Sequence, residues 1–301
     1  MENVCTIDRC TYELDGREES KEMEIWQAQK EIREKLGMQQ VYYNGAPQRY
    51  SWLNKKHPKD GTPFAMHFRI QVKESIETPC SFILEKPGGL AVEFDGNSCE
   101  MEEGWFMDRD MKKFRIPELL EGQHVITIRG LYSQDRELED VYLAGSFGVD
   151  IHGAIIREPK RLHFGDWSFQ GYANYPGSII YRFRVPALKK SGCQILHIGK
   201  WEGTLLKVRV NGRDAGVIIQ KKCCQLEVSE MFDQEENLLE IEVVGSPRNM
   251  FGPFHQAYTG CSRISWADFR TEGMFHTDSR VLRPYGLMEQ CYICEYEEET
   301  V

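Results

Sequence analysis

The sequence predicts an all-β chain made of two tandem β-sandwiches, with one helix near the N-terminus. Three observations predict it. Apolar and polar residues alternate with period two through most of the chain after residue 60, as strands with one wet face do. Paired turn residues punctuate those runs. The same succession of strands and turns is also written twice, the copies offset by 113 residues.

The helix comes first. From Glu18 to Leu36 the chain is rich in helix formers, and Ile25, Ala28, Ile32 and Leu36 recur at helical spacing. Gly37 follows where a left-handed C-terminal cap is wanted, and Trp26 lies beside the apolar stripe. Strands then take over. Phe68, Ile70 and Val72 alternate with Arg69 and Gln71, and Leu90, Val92 and Phe94 with Ala91 and Glu93. Later Leu206, Val208 and Val210 alternate with Lys207 and Arg209, and Leu239, Ile241 and Val243 with Glu240 and Glu242. Pro87-Gly88-Gly89, Asp95-Gly96, Glu121-Gly122 and Asn211-Gly212 mark turns between them. Many short strands with almost no intervening helix indicate a sandwich rather than a parallel α/β sheet.

The repeat supports this reading independently. Residues 66–96 align with 179–212, so that Phe68, Ile70 and Val72 fall on Tyr181, Phe183 and Val185, and Cys80 falls on Cys193. A three-residue gap then brings Asp95-Gly96 onto Asn211-Gly212, and residues 114–130 match 226–245 with small gaps. The expected organisation is a helical segment over 1–40, a first sandwich over 41–153 and a second over 154–301. Asn211 and Gly212 tolerate positive φ, as a hairpin turn requires. A phosphate-binding turn would lead into a helix, which this one does not.

Composition excludes several classes of partner. Thirty-seven Lys and Arg against 47 Asp and Glu give a net charge of −10, which disfavours nucleic acid. No apolar run approaches the roughly 20 residues of a membrane span, and the N-terminus lacks the apolar core of a secretion signal. It begins abruptly, as a fragment of a longer chain would. Ten cysteines in 301 residues are too few for a disulfide-stapled scaffold. Free thiols in a reducing, cytoplasmic setting are the expectation.

The second copy resembles the sugar-binding domain of glycoside hydrolase family 2. The segments that carry the likeness are YPGSIIYRFRV (175–185), VRVNGRDAGV (208–217) and LEVSEMFDQEENLLEIEVVGS (226–246). Tyr175, Gly177, Tyr181, Asn211, Gly212, Gly216 and Asn237 occupy the family's motif positions. Glu227-Val228-Ser229 and Glu236 depart from it, which touches the framework more than any ligand group. The first copy matches more loosely, through Phe94-Asp95-Gly96 and Glu121-Gly122-Gln123. The pair is similar to the C-terminal region of large bacterial glycoside hydrolases, α-L-rhamnosidase-like enzymes among them. The resemblance implies two galactose-binding-like jelly rolls that accompany a catalytic barrel. Such domains bind sugar in some proteins and only brace the enzyme in others.

Catalysis by this chain alone is not expected. Glycoside hydrolysis needs two carboxylates facing each other across the scissile bond, which the family places on a barrel of about 250 residues, and the two sandwiches leave no room for one. Glu202 beside Trp201, Asp166 beside Trp167 and Asp268 near Trp266 are acids beside indoles, but read more simply as solvated loop acids. Cys291 and Cys294 have the spacing of a zinc half-site, with Cys5 and Cys10 as the other half. They also read as apolar residues of a last strand. Galactose-binding-like domains often hold a structural Ca2+, yet no loop of fixed acidic spacing places one here.

A sugar presents apolar C–H faces edged by hydroxyls, so its binder combines an aromatic platform with polar side chains. Two loops have that composition. Gly199-Lys200-Trp201-Glu202-Gly203 carries a three-residue insertion that the first copy lacks. The loop after the strand ending near Val244 holds Arg248, Asn249 and His255 among aromatics. Trp201, Glu202, Arg248, Asn249 and His255 are therefore the expected carbohydrate-binding residues, and packing against a neighbouring domain stays open for both loops. Trp105 and Asp108 read as interior strand with edge charge. The leading expectation is a non-catalytic carbohydrate-binding or scaffolding region of a glycoside hydrolase. Two others remain: a protein-interaction module that docks a catalytic partner, and a stand-alone glycosidase using loop carboxylates.

Overall fold

The computed structural model describes residues 1–17, 20–41, 45–188, 192–222, 224–257 and 268–296. Strands dominate, in several antiparallel sheets, as an all-β sandwich chain requires. The chain divides into two compact units, each discontinuous in sequence. One joins Glu2–Glu158 with Met250–Val281, and the other joins Pro159–Asn249 with the segment from Leu282 onward.

The first unit opens with strands β1 (Asn3–Ile7), β2 (Arg9–Leu14) and β3 (Met23–Glu24), then helices α1 (Ile25–Leu36) and α2 (Ala46–Asn54). Strands β4 (Thr62–Val72), β5 (Cys80–Glu85), β6 (Leu90–Phe94) and β7 (Asn97–Ser98) follow. The last are β8 (Met111–Ile116), β9 (Gly122–Tyr132), β10 (Val141–Gly145), β11 (Gly148–Val149) and β12 (Ile155–Ile156). One sheet has the order β1-β10-β5-β8; the other runs β11-β12-β4-β9-β6-β7, with β2 added to β4 and β3 to β2. Phe68 of β4 and Phe82 of β5 meet across the interior with ring centroids 6.3 Å apart, and Phe82 meets Phe114 at 6.5 Å. Each such side chain contributes about 1.5–3 kcal/mol by leaving water.

The sequence pattern places α1 well. Ile25, Ala28, Ile32 and Leu36 are all buried, and Gly37 closes the helix at φ 68° with its N–H directed to the last-turn carbonyls. The helix starts at Ile25, however, because β3 occupies Met23–Glu24; Glu18 lies outside the described residues. The N-terminal segment expected to be helical also holds β1 and β2. Those stretches are too short for alternation to show, and every residue of β1 is buried. A second helix, α2, is unmarked by periodicity. It is fixed by Trp52, over whose ring the fully buried guanidinium of Arg33 lies 4.7 Å from the centroid.

The second unit contains β13 (Ser178–Pro186), β14 (Cys193–Ile198), β15 (Trp201–Glu202), β16 (Leu205–Val210), β17 (Arg213–Ile218), β18 (Gln225–Glu227) and β19 (Glu236–Val244). The short helix α3 (Arg248–Phe251) follows at the crossing between units, then β20 (Gly286–Leu287) and β21 (Cys291–Tyr296). Its sheets have the orders β13-β19-β16-β17, β18-β14-β21 and β15-β20. Leu196, Leu206, Val208, Leu239, Ile241 and Val243 form the core around Trp167 and Trp201.

The duplication written in the sequence is also present in the pairing. β4-β9-β6-β7 and β13-β19-β16-β17 have the same order, and β5 pairs β8 as β14 pairs β18. The hairpin turns match as well. Asp95 and Gly96 have φ of 48° and 79°, Asn211 and Gly212 of 51° and 76°, the type I′ geometry that Asx-Gly favours. In each copy the first turn side chain accepts a backbone N–H from the neighbouring strand, Val125 to Asp95 at 2.8 Å and Leu238 to Asn211 at 2.9 Å. One expectation of extent differs. Residues 250–281 belong with the first unit, whereas the sequence division had run the second sandwich to the C-terminus. A segment that returns after the whole of Pro159–Asn249 leaves no local signal.

Candidate functional site

The acids beside indoles are occupied by the framework. Asp166 caps the short turn of 3-10 helix over Trp167–Gln170, accepting N–H groups from Ser168 at 2.9 Å and Tyr285 at 3.2 Å. Glu202 is paired with Lys221. Asp268 is buried and has an interaction partner, and Trp266 lies outside the described residues.

The expected exposed platform at Trp201 is corrected. Trp201 is 2% exposed within the core, and its indole N–H points to Cys224 Sγ at 3.2 Å. The loop insertion turns inward because Trp201 and Glu202 form a strand that pairs with Leu287 and Gly286. Asn249 is fully buried; its side chain bonds both the N–H and the carbonyl of Arg283, at 2.7 and 2.8 Å. Arg248 lies beside Tyr285, whose hydroxyl its charge affects. Asn249 thereby anchors the end of the second unit. Trp105 is corrected in the other direction: it is 54% exposed, on the loop between Met101 and Met111 rather than in a strand.

The motif residues of the family-2 resemblance are structural here. Asn211 donates to Asn237 Oδ1 at 2.8 Å, and Asn237 donates to the carbonyls of Gln234 and Val185. Gly177 is required by contact, since a Cβ there would lie 2.6 Å from the hydroxyl of Tyr175.

His255 alone among the expected residues stands in a charged cleft, and that cleft belongs to the first unit. Asp8 comes from the corner between β1 and β2, Glu24 from the end of β3, Trp26 from the start of α1, and Asp140 from the residue before β10. Pro253, Phe254, His255, Phe269 and Arg270 come from the returning segment. The space within it measures about 20 Å³, room for one oxygen-sized group. Trp26 and Phe269 form its rim, ring centroids 5.7 Å apart and tilted by 51°.

The electrostatics of the cleft follow from its pairings. His255 Nε2 is 2.7 Å from Asp8, and its Nδ1 is 2.9 Å from the carbonyl of Thr277. Both partners only accept, so both ring nitrogens carry protons. Burial opposes the charge of this imidazolium, but the Asp8 hydrogen bond and charge raise its pKa above the ordinary value. Burial likewise opposes ionisation of Asp8, yet His255 and Arg280 hold it below the usual range. Arg280 also donates to the carbonyl of Thr6 at 3.1 Å and lies 4.6 Å over the Phe254 ring. A second pair stands alongside, His276 Nε2 at 2.7 Å from Glu24.

Asp140 is different. It is 7% exposed, and its Oδ1 has no hydrogen-bond partner. Burial, with the charges of Asp8 and Glu139 added and that of Arg280 opposing, raises its pKa well above the ordinary Asp value.

Metal ligation is a separate question. Cys5 and Cys10 are buried, and burial pushes the Cys5 thiol up to about 12, away from the thiolate that binds metal. Cys291 and Cys294 lie on β21 against Ile198 and Ile195. Among the described residues no three His, Cys, Asp or Glu side chains are grouped to hold a metal ion, and no helix is long and apolar enough to cross a membrane.

No protein-family model matches the chain, and no curated protein is significantly similar to it in sequence. Solved structures resemble it distantly. A rhamnosidase from Novosphingobium sp. PP1Y is 17% identical over 79% of this chain and 23% of that one, with a TM-score of 0.30. A β-D-mannosidase from Dictyoglomus thermophilum is 9% identical over 82% of this chain and 31% of that one, at 0.29. An anti-sigma factor domain-containing protein is 8% identical over 82% of this chain and 91% of that one, at 0.24. The chain thus spans less than a third of the two glycosidases it resembles. Likeness of this degree carries no argument about activity.

Proposed function

We propose that the chain is a non-catalytic carbohydrate-recognition region of a glycoside hydrolase. What supports the reading is the duty of its indole-flanked acids: Asp166 caps a helical turn and Glu202 pairs with Lys221, so neither is left to face a second carboxylate across an open bond-cleaving cleft. The positions that resemble a sugar-binding jelly roll, Asn211 and Asn237 above all, hold its framework together. On this reading carbohydrate is the partner, and a catalytic domain supplies the chemistry.

The test has two arms on the full chain. Incubated with a panel of aryl glycosides, it releases no aglycone. Titrated calorimetrically with neutral mono- and oligosaccharides, it binds with a Kd on the order of micromolar to millimolar. Turnover that is lost in Glu202→Gln would overturn the non-catalytic part; absence of any saccharide binding would overturn the recognition part.

A further inference from the structure

The cleft of the first unit holds a feature its framework does not explain. A buried carboxyl without a hydrogen-bond partner destabilises a fold, and such groups in a native protein call for a reason. One oxygen of Asp140, Oδ1, is left without a partner, and Asp140 lines a small space of about 20 Å³. The surrounding charges are otherwise matched: Asp8 against His255 and Arg280, Glu24 against His276.

We propose that this cleft is a recognition site for the edge of a neutral saccharide, one hydroxyl entering the small space to bond Asp140 while the ring's C–H face lies on Trp26 beside Phe269. The inference rests on the carbohydrate-recognition reading and locates it. Size decides the part that enters, since the space admits a hydroxyl and not a ring. Charge decides the class. A cationic group would meet Arg270 and the His255 imidazolium, and an anionic sugar would meet Asp8 and Glu24. A hydroxyl brings no charge to desolvate, and it can both donate to and accept from a carboxyl group. The half-buried rings of Trp26 and Phe269 supply the apolar face that such a ligand needs.

The experiment is calorimetric titration of the full chain with D-galactose, D-glucose, D-mannose, L-rhamnose and their disaccharides. Wild type, Asp140→Ala, Asp140→Asn, Trp26→Ala and Trp26→Phe are compared, each checked by thermal unfolding. The expected result is a loss of about tenfold or more in affinity for Asp140→Ala and Trp26→Ala, with smaller losses for Asn and Phe. If an alanine variant unfolds, its conservative partner carries the comparison, and a loss of at least about threefold there supports the site. Equal affinity in wild type and all folded variants overturns this site while the general reading stands. A wild type that binds none of these sugars overturns both. Aryl-glycoside turnover by a wild type whose binding depends on Asp140 overturns only the non-catalytic reading.

Discussion

The first unit should lose stability as pH rises through neutrality, which is unusual for an acidic protein and follows from its buried acids. Burial pushes Glu139 from 4.5 up to about 8, with Glu137 and Glu85 adding to the shift against Arg49 and Lys86. Between those values the folded chain keeps a proton that the unfolded chain has released, so stability falls with rising pH. Each pH unit in the window removes up to about 1.4 kcal/mol. From about pH 5.5 to about pH 8 the ceiling is about 3 kcal/mol, and the partial exposure of the side chain lowers the working figure to about 2 kcal/mol. Asp140, raised by burial, acts with the same sign. So does His255, because its raised pKa means that the Asp8 pair is lost as pH climbs through the folded value. Asp8, held below 3.8, does not titrate in this window. Urea unfolding followed by tryptophan fluorescence measures the slope for the wild type and Glu139→Gln. The variant should be the more stable protein at about pH 8 and should show a visibly flatter slope. A wild-type stability that is flat or rising over the window would refute the reasoning.

Two further outcomes follow from the second unit. Trp201→Ala removes a 2% exposed indole from the core and should cost about 3–5 kcal/mol in urea unfolding; wild-type stability with lost sugar binding would instead restore the surface role. Asn211→Val places a β-branched residue at φ 51° and deletes the bonds to Leu238 N and Asn237, so the variant should melt lower by about 2–4 kcal/mol of stability, and an unchanged melting temperature would contradict that role for the turn.

Much of the fold was legible because it is periodic. The alternation around Phe68 and Val208 depends only on side chains pointing to opposite faces, and the paired Asx-Gly turns depend only on positive φ, so both are local properties. β1 and α2 were not legible: NVCTI is buried throughout and shows no alternation, and α2 owes its place to the stacking of Arg33 on Trp52. The site failed for a related reason. The three-residue insertion around Trp201 has the composition of a binding loop, yet the pairing of Trp201 with Leu287 draws it inward. His255 is the one residue that composition picked within the cleft. Its partner Asp8, and Asp140 which lines the same cleft, precede strands, where an acid ordinarily faces water. Only the return of residues 250–281 onto the first unit brings His255 within 2.7 Å of a residue 247 positions away, and no local pattern encodes that meeting.

The most direct measurement is the indole N–H region of the NMR spectrum, where the chain's six tryptophans report separately, recorded while a neutral saccharide is added. The account predicts that the resonance removed by Trp26→Phe moves with saturation and that the one belonging to Trp201 stays fixed. Movement confined to Trp105, or no movement at any concentration, would contradict it.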